Sequence, residues 1–492
     1  MSAPAILAPE VERQAGVSPA AVPELALTTV EIDASCRVPL MWLFFSAVIW
    51  LVLGLVAQLV TSIQLHAPGL LAGIPWLTFG RLRPVSTNAF LYGFASQACI
   101  GVLLWIFCRL GGTRLLFPVL LSIALALWNL AVTLGVLGIL AGGSTGFQWL
   151  EMPSFTFAIL FCAYTLMGIC ALGQFYFRRE GPLYVSQWFL LLALFWFPWI
   201  YSAASLLLSF FPVRGVVQSI VNAWFVGNFL GLWLTPIALG TIFYFIPKLT
   251  GRALYSHYLA AFGFWTLAFI APWAGMANLL GGPVPAWLAS TGTAANLLLL
   301  VPILCAGLNW WQTLRGAPVD YRTNSTLRFI LVAAGSYLVA NLLGVMLAIR
   351  QVSAFTHLTY LEGAQVKLAL FGFVAMALLG GVRYIVPRIL HGPWPSEKRV
   401  LAHFWCSSAG IALVFVALLL GGAFQAFALS QAATPFIHAV RGTVPFIGLS
   451  TLGELLLLAG QLLLLWDFTL LLRQRWAPLQ QAASDWAMEG GS

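Results

Sequence analysis

Residues 224–280 decide the fold class of this chain, and they read WFVGNFLGLWLTPIALGTIFYFIPKLTGRALYSHYLAAFGFWTLAFIAPWAGMANLL. Two apolar runs, each long enough to cross a bilayer as a helix, flank one short polar segment. That segment, PKLTGR at 247–252, contains residue types that end helices and anchor them at a membrane surface. The stretch therefore predicts a membrane-spanning helical hairpin, in which Asn228 lies at a depth similar to that of Ala277 and Asn278.

The same apolar pattern continues along all 492 residues, of which 61% are hydrophobic and 8% are charged. A water-soluble globular chain carries about 25% charged residues, so the composition indicates an integral membrane protein. Runs of about 20 apolar residues lie near 40–62, 88–110, 115–140, 154–177, 184–210, 218–247, 257–280, 293–314, 327–349, 362–389, 401–428 and 444–472. The predicted fold is an all-α bundle of twelve transmembrane helices.

The net charge of +9 is explained by topology rather than by a nucleic-acid partner. With the N-terminus in the cytoplasm, 17 of the 23 Lys and Arg residues fall on the cytoplasmic side. The six others are Arg81, Arg83, Arg214, Arg350, Lys367 and Arg441. This bias predicts a multi-pass protein of a bacterial-type inner membrane with both termini cytoplasmic. We expect a flexible N-terminal tail over residues 1–38, the transmembrane domain over 39–474 and a C-terminal tail over 475–492.

Several motifs resemble the catalytic subunit I of heme-copper oxidases, most closely that of the cbb3 type. They include IFYFIPK at 242–248, YS at 255–256, WAG at 273–275 and RPVSTN at 83–88. The resemblance covers roughly residues 38–474. It implies a respiratory or electron-transfer assembly with other membrane subunits, among which cytochrome c-type subunits are the candidate partners.

The resemblance also implies six histidines that hold two hemes and a copper ion, and this chain lacks all six. The heme-ligand positions are occupied by Ser86, Gln365 and Lys367, and the copper-ligand positions by Asn228, Ala277 and Asn278. The family's cross-linked tyrosine falls at Ala271, and a cbb3-type glutamate falls at Leu343. The six histidines that are present lie near the predicted ends of spans, where we expect surface or capping roles. We therefore expect neither heme nor copper, and no catalytic activity from this chain by itself.

Two other functions stay open at this stage. The first is a working terminal oxidase or nitric oxide reductase that binds heme and copper. The second is a proton or ion transporter that uses the same bundle, which requires a continuous polar path through Glu362, Lys367 and Glu454. Intramembrane charges are costly and are expected to face partners inside the bundle.

Lys367 is the most informative of these charged residues. Glu362 lies five positions earlier, about 140° away around a helix, so the two do not share a face. We expect Lys367 to be held by one carboxylate, from Glu362 or Glu454. The space left by absent hemes is then either packed with bulky side chains, such as Phe371 and Phe373, or kept as a wet cavity.

Glu151, in the sequence LEMP at 150–153, matches a glutamate that takes part in a calcium site of the cbb3 family. Calcium requires six to eight oxygen ligands, so one carboxylate is a weak indication of such a site. The preferred interpretation is a residue at the N-terminus of the helix that begins near Pro153.

Overall fold

A computed structural model describes residues 27–179, 181–317 and 324–476. These residues contain helices and no strands, and twelve of the helices are long and apolar enough to cross a membrane. The spans, α1 to α12, are Thr29–His66, Phe79–Gly111, Pro118–Ala141, Ser154–Tyr176, Val185–Phe210, Val216–Thr250, His257–Leu279, Ala286–Leu314, Ser325–Leu347, Tyr360–Ile389, Glu397–Ser430 and Phe436–Gln474. The prediction of a twelve-helix membrane bundle is confirmed.

The first helix begins earlier than the sequence indicated. The Thr28 hydroxyl accepts a hydrogen bond from the Glu31 amide, and the Glu31 carboxylate accepts one from the Thr28 amide. This reciprocal capping box starts α1 at Thr29, so the predicted flexible tail over 1–38 is wrong for residues 29–38. Residues 1–26 and 477–492, which hold most of both predicted tails, lie outside the described residues.

The hairpin at 224–280 forms as expected from its polar segment. Gly251 follows the last residue of α6 with φ of 67°, a left-handed conformation that ends helices at low steric cost. The Ser256 hydroxyl then accepts a hydrogen bond from the Leu259 amide and caps the start of α7.

Three helices, α2, α6 and α10, form the centre of the bundle, and their apolar windows are almost fully buried. Each of them is interrupted by a π-helical segment, in which one extra residue per turn shifts the direction of the following side chains. These segments are Ala89–Ala95, Phe229–Leu234 and Leu368–Ala375. They begin immediately after Asn88, Asn228 and Lys367, so the irregular turns lie beside positions that the resemblance assigns to ligands.

Candidate functional site

A cavity of about 770 Å³ lies at the end of the bundle where α1 ends and α2 begins. Ser86 on α2 and Lys367 on α10 both line it, as does Glu454 on α12. Its apolar wall includes Phe90 and Phe371, whose ring centroids are 4.4 Å apart. The space between these helices is therefore open, and both charged and aromatic side chains border it.

An ion pair between Lys367 and Glu454 lies on one side of this cavity. The Lys367 ammonium donates to Glu454 Oε1, and Gln58 Nε2 donates to the same oxygen at 3.3 Å. The Glu454 side chain is 2% exposed, whereas that of Lys367 is 29% exposed. Glu454 Oε2 is buried and has no hydrogen-bond partner. The predicted carboxylate partner of Lys367 is confirmed, and Glu454 rather than Glu362 provides it.

Glu362 has a different environment, although the sequence grouped it with these residues. Its carboxylate lies 2.7 Å from His357 Nδ1, and its side chain is 42% exposed. The expectation that it faces the bundle interior is wrong, because Glu362 lies in the first turn of α10, close to the helix end. Among the described contacts, Glu362 does not join Lys367 and Glu454 in one polar path.

Glu151 lies at the rim of the cavity and contacts α2. Asn88 Nδ2 donates to Glu151 Oε2 at 2.8 Å, and burial raises the pKa of the Glu151 carboxyl. The interpretation as an N-terminal helix residue is wrong, since α4 begins at Ser154 and Glu151 precedes it in the loop. Ser86, two residues before Asn88, donates its hydroxyl hydrogen to the carbonyl of Arg83 at 2.8 Å.

The region around Asn228 contrasts with this cavity because the helices there are in close contact. Asn228 is fully buried, and its Nδ2 donates to the carbonyls of Trp224 at 2.7 Å and Pro272 at 3.3 Å. A Cβ atom on Gly227 would lie 2.6 Å from the Cα of Gly275. The backbones of α6 and α7 thus touch directly at this level.

The other positions singled out in the sequence are not brought together. Gln365 points to α9, where its Nε2 donates to the Ala340 carbonyl at 3.3 Å, and not to the cavity beside Lys367. Ala277 is buried so closely against α8 that a Cβ on Gly292 would lie 2.2 Å from its amide nitrogen. Asn278 is exposed and lines a separate cleft of about 340 Å³ with His357.

The two remaining positions, Ala271 and Leu343, hold apolar side chains. Ala271 is buried. A Cβ atom added at Gly231 would lie 3.6 Å from the Cβ of Ala271, which is an ordinary van der Waals distance. Leu343 is partly buried on α9.

Residues 38–456 match the family model described as cytochrome c and quinol oxidase polypeptide I. The chain belongs to this family. A cytochrome c oxidase subunit 1 homolog from Azorhizobium caulinodans is 27% identical over 436 residues, which cover 86% of this chain and 79% of that protein. A cbb3-type cytochrome c oxidase subunit from Stutzerimonas stutzeri is also 27% identical, with coverage of 85% and 91%.

The fold resemblance extends to a solved heme-copper terminal oxidase dimer. The superposition has a TM-score of 0.73 and covers 89% of this chain and 84% of the other, with 12% sequence identity. At this identity the comparison shows the fold alone. The chain is thus a subunit I-type membrane protein of the oxidase family by both sequence and architecture.

The six positions at which the resemblance places heme and copper ligands hold side chains with a different chemistry. Ser86 donates its hydroxyl hydrogen to a backbone carbonyl, and the ammonium of Lys367 is held by Glu454. Iron and copper sites in proteins favour imidazole, thiolate or thioether ligands, and none of the six positions offers one. Within residues 27–179, 181–317 and 324–476, no group of three or more His, Cys, Asp or Glu side chains is placed to hold a metal ion.

A buried polar network at the opposite end of the bundle was missed from the sequence. Asp467, fully buried on α12, accepts from Arg383 at 3.1 Å and from Arg399 at 2.6 Å. His403 is also fully buried, with Nδ1 3.1 Å from an Arg383 nitrogen and Nε2 3.2 Å from Gln461. The interpretation of His403 as a surface or capping residue is wrong, because α11 begins at Glu397 and places it two turns inside. The available indication was the presence of two polar residues, Gln461 and Asp467, within the apolar sequence of α12.

Proposed function

We propose that this chain is a non-catalytic subunit I-type protein that binds neither heme nor copper and acts in a membrane respiratory or electron-transfer assembly. The observation that supports the proposal best is the use of the ligand positions for intraprotein contacts. Ser86, Gln365 and Asn228 bond to backbone carbonyls, and Lys367 forms an ion pair. Side chains engaged in this way stabilise the bundle itself, and the hydroxyl and amide oxygens that they retain are poor ligands for heme iron or copper.

The close contact of α6 and α7 supports the same proposal. A copper ion with three ligands requires space between these helices, and the Gly227–Gly275 approach leaves little. A working oxidase or nitric oxide reductase requires that space, so the packing favours the non-catalytic function over this alternative. The transporter alternative requires Glu362 in the polar path, and Glu362 binds His357 instead.

Optical spectroscopy and metal analysis of the purified protein test this proposal. We expect no Soret band, and less than stoichiometric iron and copper, in protein produced in a host that matures related oxidases. Purification in a mild detergent, followed by mass spectrometry of co-purifying chains, tests the proposed assembly. A stoichiometric heme that follows the chain through purification contradicts the proposal.

We propose further that the protein lies in a bacterial-type inner membrane with both termini cytoplasmic, supported by the distribution of Lys and Arg. Single cysteines at Lys398 and Arg441 test this orientation, because both side chains are exposed at opposite ends of the bundle. Arg399 is unsuitable for labelling, since it binds Asp467. A reagent confined to the periplasm is expected to label the cysteine at position 441 and to spare that at 398; the reverse pattern contradicts the topology.

A further inference from the structure

A group of charged side chains is buried near the end of the bundle at which α11 begins and α12 ends. Asp467 is fully buried and accepts from Arg383 at 3.1 Å and from Arg399 at 2.6 Å. Arg383 is almost fully buried as well, whereas the Arg399 side chain is 31% exposed and reaches the surface. Two positive charges therefore meet one negative charge, which leaves a net charge of +1 in a largely buried group.

His403 does not change this balance, because its contacts fix it in the neutral form. Its Nδ1 lies 3.1 Å from a nitrogen of Arg383, and an arginine nitrogen can only donate. Nδ1 is therefore the acceptor, and the single ring proton is on Nε2, which donates to Gln461 Oε1 at 3.2 Å. A buried charge is costly unless it is compensated, so the excess positive charge favours an anion at the exposed side of the group.

Arg399 is placed to hold such an anion. Asp467 engages its Nε, and no described hydrogen bond uses its two terminal nitrogens, so their donors remain available. Glu397, the other carboxylate of α11, is exposed and forms no described ion pair with Arg399. Lys398 and Arg473 are exposed at the same end of the bundle, and no described carboxylate pairs with either of them. A phosphate, which is anionic and rich in acceptor oxygens, complements these three cations.

The surface of the two helices next to these cations is apolar. Trp466, which precedes Asp467 in α12, is 60% exposed, and Leu462, one turn earlier, is exposed as well. Leu401 and Trp405 are exposed in the same way on α11. Exposed tryptophan is typical of the headgroup level of a bilayer. A phosphate that carries acyl chains fits both parts of this surface, whereas a soluble phosphate fits the cations alone.

We propose that an anionic phospholipid binds at this end of the α11–α12 pair, on the surface formed by Lys398, Arg399, Arg473, Trp466 and Leu462. Its phosphate compensates the excess charge of the buried group through Arg399, and its acyl chains lie along Trp466 and Leu462. In the proposed topology this end is cytoplasmic, and clustered basic residues on that side attract anionic headgroups. The inference goes beyond the proposed function, since it assigns a lipid site at the outer surface of the bundle.

The first test compares two lipids that differ in headgroup charge and share their acyl chains. Native mass spectrometry of the full-length protein gives the Kd of the first bound dioleoylphosphatidylglycerol and of the first bound dioleoylphosphatidylcholine. We expect phosphatidylglycerol to bind about fivefold more tightly or better, because a basic side chain near the surface contributes about fivefold to binding of an anionic lipid. Equal Kd values overturn the proposal.

A soluble headgroup distinguishes a lipid from a free phosphate. Glycerophosphoglycerol carries the same phosphate as phosphatidylglycerol and lacks the acyl chains. Added as its ammonium salt at about a tenfold excess over the lipid, it is expected to leave the Kd of phosphatidylglycerol unchanged within about twofold. Displacement of the lipid under these conditions shows that the site takes a soluble phosphate and overturns the assignment to a lipid.

The second test removes the excess charge and keeps the buried pair. In Arg399→Gln, Asp467 retains Arg383 as its partner, so no buried charge is stranded and we expect the protein to fold. Phosphatidylglycerol should bind about fivefold more weakly, and the unchanged Kd of phosphatidylcholine should show that the lipid-facing surface is intact. Arg399→Lys keeps the charge and should retain the preference for phosphatidylglycerol. A preference that persists in Arg399→Gln, or that is lost equally in Arg399→Lys, overturns the role assigned to this charge.

Two control variants decide whether the effect belongs to this surface. Lys248→Gln removes one exposed positive charge from α6 at the same end of the bundle, and it should leave the Kd of phosphatidylglycerol unchanged within about twofold. An equal loss in the Lys248 and Arg399 variants shows that total charge governs binding and overturns the site. Asp485→Asn/Glu489→Gln removes both acidic side chains of residues 477–492 and should also have no effect. Binding that becomes about fivefold tighter in this variant shows that these carboxylates occupy the cations and overturns the proposal.

Discussion

The regions around Lys367 and Asn228 both contain positions that the resemblance assigns to metal or heme ligands, and they differ in how closely the helices pack. At Asn228 the backbones of α6 and α7 touch through Gly227 and Gly275. At Lys367 a cavity of about 770 Å³ persists. The comparison shows that two parts of the same membrane bundle can differ in how closely their helices pack.

The physical difference lies in the side chains that border each region. Glycine permits direct contact between helices, which recovers dispersion attraction over many atoms. Around Lys367, the ion pair is fixed by Gln58 of α1 and holds α10 and α12 at side-chain distance from each other. If α10 and α12 moved together and closed the cavity, the Lys367–Glu454 pair would be broken or further desolvated, and either change is unfavourable.

The largest effect is expected from a methyl group in the closed region. Gly227→Ala places a Cβ 2.6 Å from the Cα of Gly275, and rigid backbone on both sides leaves no room to relax. We expect a loss of about 3 kcal/mol in the free energy of unfolding, measured by SDS titration in mixed micelles. Gly231→Ala on the same helix is the control, since its nearest neighbour would be 3.6 Å away, and it should be neutral or slightly stabilising. Equal effects of the two substitutions would show that the contact at Gly275 is not tight.

A smaller loss is expected from breaking the ion pair beside the cavity. Lys367→Met leaves the buried Glu454 carboxylate with Gln58 as its one described donor, and we expect a loss of about 2 kcal/mol. The double variant Lys367→Met/Glu454→Leu should recover wild-type stability or exceed it, because no unpaired charge remains. The same SDS titration provides the measurement. A double variant that is less stable than Lys367→Met would contradict the compensation between the two charges.

Glu151 provides a pH-dependent test at the rim of the cavity. Burial raises the pKa of its carboxyl above the ordinary value of 4.5, so the folded state retains a proton that the unfolded state has released. Its contribution to stability is therefore lost as pH rises from about 4.5 through the folded pKa. We expect Glu151→Gln, which keeps an acceptor for Asn88, to flatten this decline and to raise the unfolding midpoint at pH 7. Parallel pH profiles for the variant and the wild type would be inconsistent with this assignment.

The smallest effect is expected at Glu362, which is near both regions but inside neither. Its contact with His357 is largely exposed, and such pairs contribute about 0–1 kcal/mol. Glu362→Gln should change the free energy of unfolding by less than about 0.5 kcal/mol. A larger loss would place Glu362 in the same polar unit as Lys367 and would revive the transporter alternative.

The sequence by itself determined the membrane class, the twelve spans and the family, because each depends on composition, on runs of about 20 apolar residues and on local motifs. The assignment of Ser86, Gln365, Lys367, Asn228, Ala277 and Asn278 to the family's ligand positions stays a prediction from the resemblance. The hairpin at 247–252 was predictable for the same reason, since the residues that end and cap its helices act within one or two turns.

The tertiary structure decided which of these residues meet. Spacing along α10 separated Glu362 from Lys367, but whether Glu454 lies beside Lys367 depends on how α12 packs against α10, which no local pattern specifies. The burial of His403 is set by helix packing in the same way. The early start of α1, by contrast, depends on a local Thr28–Glu31 capping box that the sequence contains and that the prediction missed. The open and closed regions differ because direct backbone contact and a buried ion pair impose different distances between helices, and those distances are properties of the assembled bundle.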